Sequence, residues 1–230
     1  DLRSNPGGLL GEAVNISNFF LPKGKVITTT KAKVKKWSNT YLSRNDPLDL
    51  NIPIVVLING SSASASEIVT GAIQDYDRGV VVGRRSFGKG LVQRYRTLSY
   101  GTQLKVTISK YYTPSGRCIQ ELDYANRDLK SGKVPKFSDG EINEFTTQNG
   151  RKVYDGGGII PDVITEKELI LEETKALLAS RALFNFATNF RYKNSTIKSA
   201  EEFRFTDANF KQFQEFLKTD SSFKTKQEKA

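Results

Sequence analysis

Two rhythms of apolar and polar positions run along this chain. Ile54-Val55-Val56-Leu57-Ile58 is continuously apolar and rich in β-branched residues, the pattern of a buried strand in a parallel sheet. Immediately after it, Ala65, Ile68, Val69, Ala72, Ile73 and Tyr76 recur at helical spacing, so a helix turns one apolar face to that sheet. A second apolar run, Val80-Val81-Val82-Gly83, predicts another strand. Upstream, Leu10, Ala13, Val14, Ser17, Phe20 and Leu21 lie along one side of a helix that Pro22-Lys23-Gly24 ends. Residues 25–30 and 35–42 read as a strand pair whose lysines form a solvated edge. Residues 102–111 alternate as a strand with one buried face, Thr113-Pro114-Ser115-Gly116 is a turn, and residues 122–150 are a polar surface excursion without periodicity. From near Thr165 the rhythm is helical. Leu169, Leu171, Ala176, Leu177, Leu178, Leu183, Phe184, Phe186 and Phe190 belong to one long segment, and a second helix follows Thr206-Asp207 with Phe210, Phe213, Phe216 and Leu217 on one face. The tail from Lys218 to Ala230 is polar and reads as frayed.

Between the first strand and its helix lies a turn of small residues that carries Ser61, Ser62, Ser64 and Ser66. The unpaired N–H groups of the helix's first turn point toward it. A hydroxyl at that place is exposed at the carboxyl end of a strand, and adjacent amides can hold an oxyanion. The same residues have a purely structural reading, because Ser64-Ala65-Ser66-Glu67 fits a capping box in which Ser64 caps the helix and Glu67 reaches back to its amide.

Composition restricts the chemistry. The chain has no histidine, which excludes a Ser-His-Asp triad and a Cys-His pair and removes the usual ligands of a zinc site. Its single cysteine, Cys118, cannot form an internal disulfide. A nucleophilic Ser64 therefore needs lysine or a carboxylate as base, and lysine serves when burial brings its pKa toward the working pH. Lys89 sits between Gly88 and Gly90, where a sharply turning backbone fixes its position. Gly90 stands where a phosphate-binding loop needs Ser or Thr, which weakens a nucleotide reading. The formal net charge of +10 is spread through every segment without a recognition motif for nucleic acid, and Trp37 among lysines adds little to that reading.

Five blocks together resemble the C-terminal processing peptidases, or tail-specific proteases. They are Asp1-Leu2-Arg3-Ser4-Asn5-Pro6-Gly7-Gly8, Gly60 to Ile68, Phe87-Gly88-Lys89-Gly90-Leu91-Val92-Gln93, Tyr111 to Arg117, and Gly156 to Asp162, in the family's order. The resemblance implies an α/β fold of the crotonase and ClpP kind: residues 1–165 form the C-terminal part of a serine protease core, and 166–230 a helical C-terminal extension. It implies Ser64 as nucleophile, Lys89 as general base, Gln93 as the group that orients the lysine, and an oxyanion hole from the amides of Ala65 and Gly8, with Gly7 the alternative to Gly8. No metal or cofactor is implied. The expected activity is endopeptidase cleavage of protein substrates near accessible C-terminal tails. A non-catalytic, peptide-binding scaffold of the same fold is the alternative, and the intact Ser64, Lys89 and Gln93 argue against it. The chain reads as part of a longer protein, in which an upstream region and a PDZ domain act in cis. That region would associate with a membrane in the periplasm or envelope of a bacterium.

Overall fold

The structure, a computed structural model, describes residues 1–137, 142–166 and 170–223. It is a mixed α/β structure of two compact units, residues 1–167 and 168–230. In the first unit the elements are α1 (Leu10–Asn18), β1 (Val26–Lys31), β2 (Asn39–Leu42), β3 (Val55–Ile58), α2 (Ala65–Asp75), β4 (Val80–Gly83), β5 (Leu91–Thr97), β6 (Gln103–Tyr112), β7 (Glu144–Thr146), β8 (Lys152–Tyr154) and β9 (Val163–Ile164).

β3, β4 and β9 form a parallel sheet in that order, with Val56 beside Val81 and Val82 beside Val163. α2 is buried along its whole length, because Ile68, Val69, Ala72 and Ile73 pack with Val56, Ile58 and Val81 in the core. Burial along β3 alternates: Val56 and Ile58 are buried while Val55 is 59% exposed. The continuous apolar run therefore does not mark a strand enclosed on both sides. The face away from this core is the less covered one. Leu2 joins the sheet margin by donating its amide to the Leu57 carbonyl at 2.9 Å.

The second sheet is antiparallel, in the order β2, β1, β6, β5, and its longest pairing runs from Leu91 opposite Lys110 to Thr97 opposite Gln103. β5 was not evident in the pattern Leu91-Val92-Gln93-Arg94-Tyr95-Arg96-Thr97, whose residues after Val92 are all exposed. β7, inside the stretch 122–150 expected to be irregular, forms a hairpin with β8 just beyond it; three-residue strands are too short to establish an alternation. β1 and β2 form the pair foreseen for residues 25–42, with a 3₁₀ turn at Lys35–Trp37 between them.

Behind α2 a polar cluster locks the unit. Arg117, fully buried, donates to Gln74 Oε1 and Asp75 Oδ1 at 2.7 Å each, and Gln74 donates in turn to the Ile160 carbonyl and Asp162 Oδ1 at 2.9 Å.

The second unit contains α3 (Glu172–Ala179), α4 (Ala182–Lys193) and α5 (Asp207–Thr219). The long helix expected from near Thr165 is two helices, broken where Ser180 is extended and its hydroxyl accepts from the Ala182 amide at 3.1 Å. Leu169 and residues 224–230 of the tail lie outside the described residues. Phe186 meets Phe190, Phe205, Phe213 and Phe216 at ring separations of 5.0–6.3 Å, a small aromatic core for this unit. Among the described residues no helix is long and apolar enough to cross a membrane.

Candidate active site

Ser64 occupies the N-cap of α2 with φ 56° and ψ −115°. An L-residue pays for that conformation with about 1–3 kcal/mol of local strain, and such strain is held only where the surroundings over-determine it. Three contacts do so here. The Ser64 amide donates to Glu67 Oε2 at 2.7 Å, and its carbonyl accepts from the amides of Glu67 and Ile68 at 2.9 and 3.0 Å. Gly7, at φ +84°, packs directly behind: a Cβ built on it would lie 2.5 Å from the Ala63 carbonyl oxygen and 2.6 Å from the Ala65 amide nitrogen. Only glycine allows that approach.

The four serines are thereby distinguished. Ser62 is buried, donates to the Leu2 carbonyl at 2.6 Å and accepts from the Asn59 amide at 3.0 Å. Ser66 is buried and donates to the Asn5 carbonyl at 3.1 Å. Ser61 is exposed in the turn, while Ser64 is half-buried at the strained position.

Glu67 joins this turn to the lysine loop. Its side chain is fully buried, and Oε1 accepts from the Ser86 hydroxyl at 2.6 Å and the Gly88 amide at 2.7 Å. Oε2 accepts from the Ser64 amide and from the Lys89 amide at 3.0 Å. Burial pushes its carboxyl above the usual glutamate range, against the pull of those four donors. The sequence marked Glu67 only as half of a capping box, and its partners Ser86, Gly88 and Lys89 lie too far along the chain to be read from local spacing.

Tyr111 supplies a second tie. Its hydroxyl, on a buried ring, lies within hydrogen-bonding distance of the Ser64 carbonyl, at 3.1 Å, and very close to the Lys89 carbonyl. Burial first, and then the negative charge of Glu67, raise its pKa well above that of an ordinary tyrosine, so the phenol stays protonated and donating. The lysine loop is fixed further by the Phe87 amide on the Ser62 carbonyl and by the Gly90 amide on Gln120 Oε1 at 2.8 Å. Gly88, at φ +83°, approaches Glu121 so closely that a Cβ would stand 2.6 Å from that residue's own.

Lys89 is half-buried in this loop, and no hydrogen bond links its amine to the Ser64 hydroxyl in the arrangement described. Gln93 is exposed on β5, opposite Thr107 and just past an irregularity between Val92 and Gln93, and makes no hydrogen bond with Lys89. The Gly7 amide is engaged by Asn5 Oδ1 at 2.9 Å, whereas the Gly8 amide has no hydrogen-bond partner among the described residues and a Cβ on Gly8 would meet nothing within 4 Å. Ala65 is the first residue of α2, so its N–H has no acceptor within the helix. Among the described residues no group of three or more potential ligands could hold a metal ion.

Comparisons with known proteins identify the family. The profile of peptidase family S41 matches residues 1–131, more than half of the chain. A second profile, "Probable PDZ-protease, C-terminal helical domain", matches residues 173–230. A carboxy-terminal-processing protease of Bartonella bacilliformis is 48% identical over 120 residues, which span 52% of this chain and 27% of that protein. A probable CtpA-like serine protease of Staphylococcus aureus is 46% identical over 121 residues, 52% of this chain and 24% of the relative. The chain thus matches about a quarter of the length of these relatives. Among solved structures, a photosystem II D1 C-terminal processing protease superposes with a TM-score of 0.51 at 28% identity, covering 74% of this chain and 35% of that one. A profile match that begins at residue 1 and takes in the serine turn, the lysine loop and β6 leads to one assignment: the chain belongs to peptidase family S41.

Proposed function

We propose that this chain carries the catalytic centre of a serine endopeptidase that cleaves protein substrates near their C-termini. The observation that carries the reading is the strained Ser64, whose backbone shares the Glu67 carboxylate with the backbone of Lys89. Neutral Lys89 takes the Ser64 proton as Oγ attacks the peptide carbonyl. The tetrahedral oxyanion accepts from the Ala65 and Gly8 amides. Collapse breaks the C–N bond, Lys89 returns its proton to the leaving amine, and water then releases the acyl group by the same route. Gln93 orients the amine during turnover. Engagement of the Gly7 amide by Asn5 supports Gly8 as the second oxyanion donor. The buried hydroxyls of Ser62 and Ser66, already committed to backbone carbonyls, support Ser64 as the nucleophile.

The reading extends to architecture and setting. Residues 1–165 are the C-terminal part of a core of the crotonase and ClpP type, and residues 166–230 a helical extension. In the whole protein a PDZ domain in cis presents the substrate tail, a reading supported by the match of residues 173–230 to the helical domain of a probable PDZ-protease, and the protein works outside the cytoplasm, in the periplasm or cell envelope, with its upstream region at the membrane. A peptide-binding scaffold without catalysis would have no use for strain at Ser64.

The test is mutational, on a protein that includes the upstream region of the relatives. Ser64→Ala and Lys89→Ala each abolish cleavage of a tailed substrate, and Lys89→Arg does not restore it, because guanidinium cannot serve as a neutral base. An activated acylating reagent labels Ser64, located by mass spectrometry. Full activity in Lys89→Ala, or a label on Ser62, overturns the assignment.

A further inference from the structure

The antiparallel sheet carries a charge pattern that the catalytic centre does not use. No Asp or Glu occurs between Arg78 and Gln120, nor between Ala13 and Asn45, so every charge on β1, β5 and β6 is cationic and β2 carries none. On one face of this sheet lies an open groove of about 720 Å³. Its floor is an aliphatic row on β6, Leu104, Val106 and Ile108, with Leu104 47% exposed. Arg94 and Arg96 flank the floor from β5, directly opposite Val106 and Leu104, and Lys36 and Trp37 line it from the turn between β1 and β2. Among the described residues none of Lys36, Arg94 and Arg96 is in an ion pair. Their potential is uncompensated.

We propose that this groove docks an extended acidic segment of a protein substrate, one in which carboxylates alternate with aliphatic side chains. Three features favour that occupant. Arg94 and Arg96, two apart on a strand, are spaced by roughly 7 Å, the repeat of same-side residues in an extended peptide. The aliphatic floor takes the intervening side chains, whereas a single-stranded nucleic acid would need a row of aromatic platforms and finds only Trp37. A concave groove does not match a lipid surface, and a second copy of a chain with net charge +10 is repelled from it. β5 begins two residues beyond Lys89, so Arg94 lies roughly 16 Å along the chain from the base. The inference rests on the proteolytic reading for its meaning: the groove selects substrates that carry acidic residues on one side of the scissile bond.

Trp37 is the chain's single tryptophan, so its fluorescence reports on the groove. The binding measurement uses the Ser64→Ala chain, titrated with a short blocked peptide of alternating Glu and Val, the same peptide with Gln for Glu, phosphatidylglycerol vesicles, and an oligodeoxythymidine. We expect a saturable Trp37 shift with the Glu peptide, at least about tenfold tighter than with the Gln peptide, weakening as salt rises. Arg94→Glu with Arg96→Glu, both exposed, should remove it while circular dichroism and thermal unfolding stay unchanged. Equal binding of the Gln peptide, a shift given by vesicles or oligonucleotide but not by the Glu peptide, or undiminished binding in the double variant overturns the proposal. In the Ser64 protein the double variant should raise KM for an acidic substrate by about tenfold, leave kcat within about twofold, and spare a neutral substrate. Since binding is read without hydrolysis, a Ser64 protein that includes the upstream region, is inactive on tailed substrates and still binds the Glu peptide would sink the proteolytic reading and leave the groove standing.

Discussion

At the scale of single residues, the site is held by groups that never need to touch substrate. Tyr111 offers one proton to two carbonyls, those of Ser64 and Lys89. The Ser64 carbonyl has other donors, but among the described residues the Lys89 carbonyl relies on the phenol. Tyr111→Phe should therefore cost about 1–3 kcal/mol of stability, the penalty for a buried acceptor left unpaired, and lower kcat by about tenfold with KM nearly unchanged. Urea unfolding and steady-state kinetics check the two halves; an unchanged kcat would make the tie structural only. Glu67→Gln places an NH₂ against two of the four donors now facing carboxylate oxygens, and should remove activity while leaving Ser64 unreactive toward acylating reagents. Because burial raises the Glu67 carboxyl above the ordinary glutamate value of about 4.3, the clamp takes up its proton at a higher pH than a free glutamate would, and the acid limb of kcat should be displaced upward accordingly. The sign matters: a raised carboxyl binds its proton more tightly in the folded state, so protonation of Glu67 weakens catalysis without itself driving acid unfolding.

At the scale of elements, legibility followed sequence distance. β3, α2 and β4 were evident because strand, turn and helix are contiguous and each has an unmistakable period. Ser64, Lys89, Gln93, Ala65 and Gly8 were named through short motifs, which carried no sign of the strained backbone at Ser64. What pattern could not reveal was the tie between elements. Tyr111 reads as an aromatic on an alternating strand and Arg117 as the residue after a turn, and only the fold shows that both are buried. The Arg117 guanidinium is drawn down from its ordinary pKa by burial and sustained by Asp75 at the end of α2. Arg117→Met leaves Asp75 buried without its counter-charge and should destabilise the first unit by about 3–5 kcal/mol, with part recovered in the double variant Arg117→Met, Asp75→Asn. Chemical denaturation of the four proteins of this cycle measures it; additive effects would mean the pair does not interact.

At the scale of the whole first unit, Arg151 spans Asp77 and Asp162 at 2.5 Å each, and so links the start of the β8 hairpin arm to the end of α2 and to the approach of β9. For Asp77 burial acts upward but is outweighed by the Asn149 amide and by Arg151, and the carboxyl lies below its ordinary value. A depressed carboxyl contributes stability above its unfolded pKa, about 3.9, and loses it as pH falls through the folded value. The difference in thermal midpoint between the native chain and Arg151→Met should thus be full near neutrality and shrink below about pH 4. A difference that grows on acidification would reverse the assignment.

The backbone at Ser64 also decides how an inert form of this molecule should be made. Substrate-trapping work replaces a nucleophile with alanine by habit, yet alanine inherits dihedrals that a residue with a Cβ holds only under strain of about 1–3 kcal/mol. Glycine adopts φ 56° and ψ −115° at ease. Ser64→Gly should therefore melt above Ser64→Ala, and the resulting bait would outlast the conventional one on a column or in a crystallisation drop.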